Sequence, residues 1–195
     1  VGQWDGAKSR FQSNLIPVGG THPAEPYQSL LPLENAVQHW LDQPIGVLSQ
    51  AIPLEGKLEA ALYGSQVAAL FNQVQLTETG ADFSCTSLGN DPVGLASPVT
   101  MRGVTAAYLF ANTLVVLEVT EEVLRQTLER CAAYFTLVDG QPQISEEFLL
   151  PKVEHYNYDF YAGLAYTFDL RRPVGSRVVQ LTKLDGSPLG DGTFR

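Results

Sequence analysis

Phe110-Ala-Asn-Thr-Leu-Val-Val-Leu-Glu-Val-Thr-Glu-Glu-Val-Leu124 is an aromatic turn that runs into an apolar stretch and then into an acidic helix start. Thr113 to Val119 is nearly all β-branched or leucine, the composition of a buried strand, and reads as the clearest strand in the chain. Thr120 stands where an N-cap belongs, with Glu121 and Glu122 in the first turn, where the helix dipole favours acids. Val123, Leu124, Leu128, Cys131 and Phe135 then fall along one face of the helix that follows. A strand feeding an amphipathic helix is a unit of a mixed fold.

Upstream, Val99 to Leu109 reads as a short helix, although its Val, Thr and Tyr suit a strand as well. Leu88-Gly-Asn-Asp-Pro-Val-Gly94 packs turn formers of three kinds and is a loop. Ala81 to Ser87 and Val47 to Ile52 read as strands. Between them Val67, Leu70, Phe71 and Val74 make a helical stripe that Ser65 can cap. Leu33, Ala36, Val37, Trp40 and Leu41 recur at helical spacing, closed by Pro44 and Gly46. Residues 21–32 carry Pro23, Pro26 and Pro32 and read as a loop. Residues 1–20 read as a short strand or hairpin, with a turn at Trp4-Asp5-Gly6 and a strand end at Asn14 to Val18.

Downstream, Asp139-Gly140 is a turn, and Gln143 to Pro151 is irregular. Leu164 to Leu170 and Val178 to Leu184 are strands around a turn at Arg172-Pro-Val-Gly175, and Asp185-Gly186 and Asp191-Gly192 mark further turns. Helices between strands followed by late hairpins predict an α+β fold.

With 195 residues, 45% of them hydrophobic, the chain can bury a substantial core. Its 21 acidic residues against 12 basic ones give a net charge of -9 with no basic stripe, which argues against a nucleic-acid polymer as partner. A single nucleotide needs only one or two local donors and remains open. No run of about 18 apolar residues exists, so no membrane span is expected, and no signal-peptide pattern opens the chain. Cys85 and Cys131 both lie in apolar periodic segments and read as two buried thiols.

Metal-assisted phosphoester hydrolysis needs several His, Asp and Asn side chains converging on cations. Only His22, His39 and His155 are present, in unrelated contexts. His39 reads as an exposed or packing residue, and His155 as an orienting hydrogen-bond partner. No nucleophile elbow, P-loop or dinucleotide fingerprint occurs. Glu121-Glu122 and Glu146-Glu147 sit at helix starts, where capping and solvation account for them. No catalytic residue is therefore assigned.

Phe110 to Leu124, His155-Tyr-Asn-Tyr-Asp159 and Arg172-Pro-Val-Gly-Ser-Arg177 together resemble the C-terminal domain of the 5'-nucleotidase family. The branch most resembled is that of the 2',3'-cyclic-nucleotide 2'-phosphodiesterase/3'-nucleotidase-like enzymes. The likeness runs over nearly all of residues 1–195 and is most specific in 99–135 and 153–184. It implies a layered mixed α/β C-terminal domain over 46–195, preceded by a linker loop and interdomain helix over 21–45. Residues 1–20 would be the terminal strand of a metallophosphoesterase domain.

The resemblance further implies a bacterial nucleotide-catabolic hydrolase that is extracellular, periplasmic or cell-wall associated. Its two divalent metals (Zn, Mn or similar) would lie in a separate N-terminal domain, with no cofactor in this part. The partners implied are a nucleoside or nucleotide and that N-terminal domain.

Nucleoside recognition needs flat aromatic faces for the base and polar groups for its edges. Phe110 occupies the position of the family's first base-stacking aromatic, and a stacked base is worth about 1–3 kcal/mol per ring. On the residues alone, Phe110 reads equally as a core residue at a helix end. Ser87, Gly89 and Asn90 stand in the loop after the second strand, where the family reads the substrate, and Asn90-Asp91-Pro92 also makes a plain turn. The His155–Asp159 cluster reads first as a buried hydrogen-bonded corner, and Arg172 and Arg177 as surface or turn-fixing residues. The family continues beyond the Thr193-Phe194 strand to a second stacking aromatic, so a truncated and weakened clamp is expected. The competing reading is a non-catalytic binding or structural module that keeps the fold without the ligand.

Overall fold

A computed structural model of the chain describes residues 2–5, 10–15 and 24–195. It divides into two compact units, one ending at Leu41 and the other running from Asp42 to Arg195. In the first, β1 (Gly2–Asp5) pairs antiparallel with β2 (Arg10–Ser13), with Trp4 in register with Phe11. Trp4 and Asp5 are thus strand residues rather than a turn, Asn14 and Leu15 belong to no strand, and Gly6 and 16–18 lie outside the described residues.

Helix α1 (Ala24–Asp42) corrects the loop expected over 21–32, of which 21–23 lie outside the described residues. Pro26 is at the third helical position, where a backbone N–H has no partner within the helix, so proline costs little there. Pro32 removes only one interior hydrogen bond, and the helix continues through it.

The second unit opens with β3 (Pro44–Gly46), antiparallel to β5 (Val99–Thr100). The strand expected over Val47 to Ile52 is absent. Ile52 makes one bridge to Leu95, with reciprocal N···O distances of 2.8 and 2.9 Å. Pro53 has no N–H to extend that ladder. Gly94 lies so close to the Ile52 carbonyl that any Cβ would collide with it.

Helices α2 (Lys57–Tyr63) and α3 (Gln66–Thr79) follow, the latter capped by Ser65 Oγ accepting from Ala68 N at 3.4 Å. Strand β4 (Ser84–Ser87) pairs antiparallel with β8 (Asp159–Ala162). Asn72 is buried on α3 and ties the two layers, donating to the Phe160 carbonyl at 2.8 Å and accepting from Ser84 Oγ at 2.9 Å. Gly163 leaves β8 with φ +89 and passes against the Asp82 carbonyl, where a side chain would not fit.

The 99–109 segment resolves its own ambiguity: Val99 and Thr100 are strand, and α4 (Met101–Ala107) begins behind a Thr100 cap that accepts from Gly103 N at 3.1 Å. Thr120 caps α5 (Glu121–Ala132) as expected, accepting from Val123 N at 3.4 Å. Phe135 lies past that helix, in the hairpin of β6 (Phe135–Val138) and β7 (Gln141–Ile144). Its turn sets both Asp139 and Gly140 at positive φ, the geometry that matches strand twist. Gln143 and Ile144 therefore belong to a strand rather than to an irregular stretch. Strands β9 (Leu164–Phe168) and β10 (Val178–Lys183) form the last hairpin.

Helix α5 packs Leu124 and Leu128 on Leu164, Val178 and Leu181 of this hairpin. Glu129 pins the join, accepting from Arg177 N and Val178 N at 2.9 and 2.7 Å. Arg177 is not on the surface. Its buried guanidinium donates to the carbonyls of Ala132 and Phe135, both at 2.7 Å, and of Arg172 at 3.1 Å. Arg172 is exposed beside Asp169. Cys131 is buried, with its thiol pushed up to about 12 by burial, but Cys85 is exposed, which corrects the expectation of two buried thiols.

The largest correction concerns Thr113 to Val119. Among the described residues only Val119 pairs, with Phe194, through N···O contacts of 2.9 and 2.8 Å. Val115 and Leu117 are 64% and 65% exposed. The composition suits a pleated, half-covered surface, but no neighbouring strand edge of this unit reaches Thr113–Leu117, and without a partner the segment is not a strand. Two grooves of about 430 Å³ each border it.

Candidate functional site

The loop 88–94 is held in place by side chains from two directions. Lys57 Nζ donates to the Gly89 carbonyl at 3.0 Å, and burial lowers the lysine's pKa, opposed by nearby Asp91. Asn90 uses both ends of its amide: Nδ2 donates to the Val153 carbonyl at 2.8 Å, and Oδ1 accepts from His155 N at 3.0 Å. Asn90 is thus a clasp between this loop and the 152–157 segment.

Behind the clasp lies the buried corner expected of His155–Asp159. The Tyr134 hydroxyl and His155 Nδ1 are 2.6 Å apart, within hydrogen-bond reach, and burial pushes the Tyr134 phenol up to about 12, so it stays protonated. The His155 imidazole is accordingly neutral, its pKa lowered by burial and by nearby Lys57, with Asp91 opposing. Tyr158 donates to the Ala61 carbonyl at 2.9 Å. Desolvation raises the Asp159 carboxyl pKa, with Arg130 opposing.

In front of the clasp is a cleft of about 70 Å³, lined in part by Ser87, Gly89, Tyr108, Phe110, Asn112 and Tyr156. Of the predicted site residues, Phe110, Ser87 and Gly89 are therefore brought together, and Asn90 fixes the loop that carries two of them. The cleft lies below the range of about 300–1,000 Å³ that swallows a small ligand whole, but it can seat the edge of a flat ring. Phe110 is 65% exposed, which removes the reading of it as a core residue. It follows the end of α4, where Tyr108 meets Phe71 edge-on with centroids 5.1 Å apart, and Asn112 N closes a tight turn on the Phe110 carbonyl at 2.9 Å. No atom lies within 4 Å of where a Gly89 Cβ would stand, so the loop backbone there is open to approach.

Sequence reasoning assigned Tyr156 to the corner and missed its place in the cleft. Among the described residues no three His, Cys, Asp or Glu side chains gather as metal ligands would. His39 is exposed on α1, and His22 lies outside the described residues.

The second unit is thus an α+β domain that carries an exposed ring beside a clasped loop. The chain belongs to the 5'-nucleotidase family, whose C-terminal domain matches residues 45–193. It is 27% identical to the 2',3'-cyclic-nucleotide 2'-phosphodiesterase/3'-nucleotidase of Haemophilus influenzae, over 74% of this chain and 25% of that protein. A candidate 5'-nucleotidase of Staphylococcus aureus, solved with alpha-ketoglutarate, superposes with a TM-score of 0.81 and 31% identity, over 92% of this chain and 34% of the other. The 5'-nucleotidase precursor of Thermus thermophilus shares the fold at a TM-score of 0.65 and 23% identity, over 87% of this chain and 32% of the other. The chain thus spans about a quarter to a third of the length of these relatives. No helix among the described residues is long and apolar enough to cross a membrane.

Proposed function

We propose that residues 46–195 are the substrate-holding domain of a two-domain nucleotide phosphohydrolase, gripping the nucleoside while a separate metallophosphoesterase domain carries out hydrolysis. The observation that carries this reading is Phe110, a large ring left in solvent beside Ser87 and Gly89 in one cleft. Phe110 stacks the base, Ser87 and the open backbone at Gly89 meet its edge or the ribose, and Asn90 holds that loop in place. Residues 21–45 serve as the link between the domains, and residues 1–20 as the terminal strand of the metal domain.

Family membership supports hydrolysis of a nucleotide phosphoester, of the 5', 3' or cyclic kind that the relatives' names describe. In this reading the two divalent cations sit in the other domain. The Thermus relative is a precursor, which supports an exported enzyme.

The test is Phe110→Ala in the full-length enzyme. Nucleotide affinity should fall by roughly 1–3 kcal/mol, the worth of one lost stack. An unchanged affinity in a folded variant would remove Phe110 from the site and leave a structural module as the better reading. The 195-residue chain given manganese and a nucleotide should release no phosphate, and measurable turnover would contradict the division of labour.

A further inference from the structure

The end of α2 and strand β9 border a cleft of about 420 Å³ that shares no lining residue with the one at Phe110. Its volume falls within the range of about 300–1,000 Å³ usual for small-molecule sites. Six aromatic residues line it: Tyr63, Phe135, Tyr158, Phe160, Tyr166 and Phe168. Phe135 and Tyr158 are buried, whereas Tyr63, the last residue of α2, is 84% exposed.

The polar groups of this cleft are better supplied with lone pairs than with hydrogens. Among its lining side chains only Thr167 and the three tyrosines carry a polar atom. The Tyr158 hydroxyl donates to the Ala61 carbonyl at 2.9 Å and the Thr167 hydroxyl to Gln180 Oε1 at 3.4 Å, so both hydrogens are committed while lone pairs remain on the oxygens. The Gly64 N–H is committed in the same way, to the Ala60 carbonyl at 2.8 Å. The carbonyls of Leu62 and Tyr63 belong to the last turn of α2, where a helix has no N–H left to meet them.

The rings favour the same kind of ligand. An aromatic face carries the negative side of a quadrupole and attracts a cation. No Lys, Arg or His lines the cleft, and the chain has a net charge of -9, so neither the walls nor the molecule as a whole repels a positive ligand. An anion would find no cation there.

We infer that this cleft is a binding site for an organic ammonium ion, and for a quaternary one above all, because rings rather than carboxylates make its walls. The ligand seats its positive head among the tyrosine and phenylalanine rings, with the carbonyl and hydroxyl oxygens completing its surroundings. The site is independent of the reading of Phe110.

The experiment titrates the 195-residue chain with choline and with 3,3-dimethylbutan-1-ol, an uncharged molecule of the same shape, in ¹⁵N-correlation spectra, with thermal melts confirming that each variant folds. Choline should shift the amides of Tyr63, Gly64 and Tyr166–Phe168 along one saturable curve, and the uncharged analogue should bind more weakly. Tyr63→Ala should weaken choline by roughly 2- to 30-fold, the range for one lost cation–π contact. Thr167 is exposed, so its charge can be set without disturbing the core. Thr167→Glu should tighten choline and Thr167→Lys should weaken it, both leaving the uncharged analogue unchanged and both fading as salt rises.

Equal affinity for choline and its uncharged analogue would reduce the cleft to an apolar groove and refute the inference. So would the same effect from Thr167→Glu and Thr167→Lys, an unchanged choline affinity in Tyr63→Ala, or the absence of shifts at Tyr63 and Tyr166–Phe168 at millimolar choline. Adenosine binding should be the same in all three variants, so failure here leaves the Phe110 site standing, and failure there leaves this one.

Discussion

Around Tyr158 the rings close on one another and on the backbone, whereas around Phe110 a ring of similar size is left facing water. Tyr134 and Tyr158 are 2% and 4% exposed, and each contacts several other rings, while Phe110 is 65% exposed and touches no other ring among the described residues. The contrast is sharpest between Tyr156 and Tyr158, two positions apart in one aromatic run: one is a wall of the open cleft, the other is buried in the closed corner. Burying an aromatic stabilises the fold by several kcal/mol, so leaving one bare forgoes stability that the domain could have had.

The strongest way to break the comparison is to empty the closed side. Tyr158→Ala removes three ring partners and the bond to the Ala61 carbonyl, and should destabilise the domain by about 3–5 kcal/mol in denaturant titration. A loss below about 1 kcal/mol would mean that the corner is not the core it resembles. On the open side, Phe110→Ala should leave stability within about 0.5 kcal/mol of the parent chain, because no packing is lost. A large drop in melting temperature would place Phe110 in the core after all.

A pH series sharpens the comparison at the seam between the two regions. The pKa of His155 is lowered in the fold, so as pH falls below the unfolded value of about 6.5 the unfolded chain takes up a proton that the native state resists. The contribution of this residue to stability is complete above that pH and is lost as pH falls through the lowered native value. The ring is only partly buried, so the change is modest. His155→Gln, which can still accept from Tyr134, should flatten the stability curve on the acid side of 6.5, and an unaltered slope would contradict the neutral imidazole.

The smallest effect concerns the unpaired segment. Val115→Lys with Leu117→Lys should barely move the melting temperature but should reduce self-association in light scattering, since exposed apolar strand residues invite edge pairing. A substantial loss of stability would show that those side chains are packed.

Local features read well from sequence: the Ser65 and Thr120 caps and the turn at Asp139-Gly140 depend on neighbours in the chain and are present, whereas of the stripe expected on α3 only Val67 is fully buried, beside Ala68 and Asn72, and Val74 is exposed. Thr113 to Val119 did not read well, because a strand is a relation between two segments, and the composition of one carries no information on whether the other is there. Prolines at 26 and 32 misled because proline costs little in the first turn of a helix, where Pro26 stands, and because a long helix can continue past the one interior hydrogen bond that Pro32 removes. At the cleft, the resemblance singled out Phe110 and the 87–90 loop, and the fold brings Ser87, Gly89 and Phe110 together. The clasp that joins Asn90 to Val153 and His155, next to Tyr156 in the cleft lining, depends on contacts across more than sixty positions, which no local pattern records.

The most direct measurement is a ¹⁵N-correlation spectrum of the 195-residue chain titrated with adenosine. Amide signals of Ser87–Asn90, Leu109–Asn112 and Tyr156 should shift together along one saturable curve while those of Cys131–Phe135 stay in place. Shifts confined to the grooves along Thr113–Leu117, or no shifts at millimolar ligand, would contradict the assignment of the cleft as the base site.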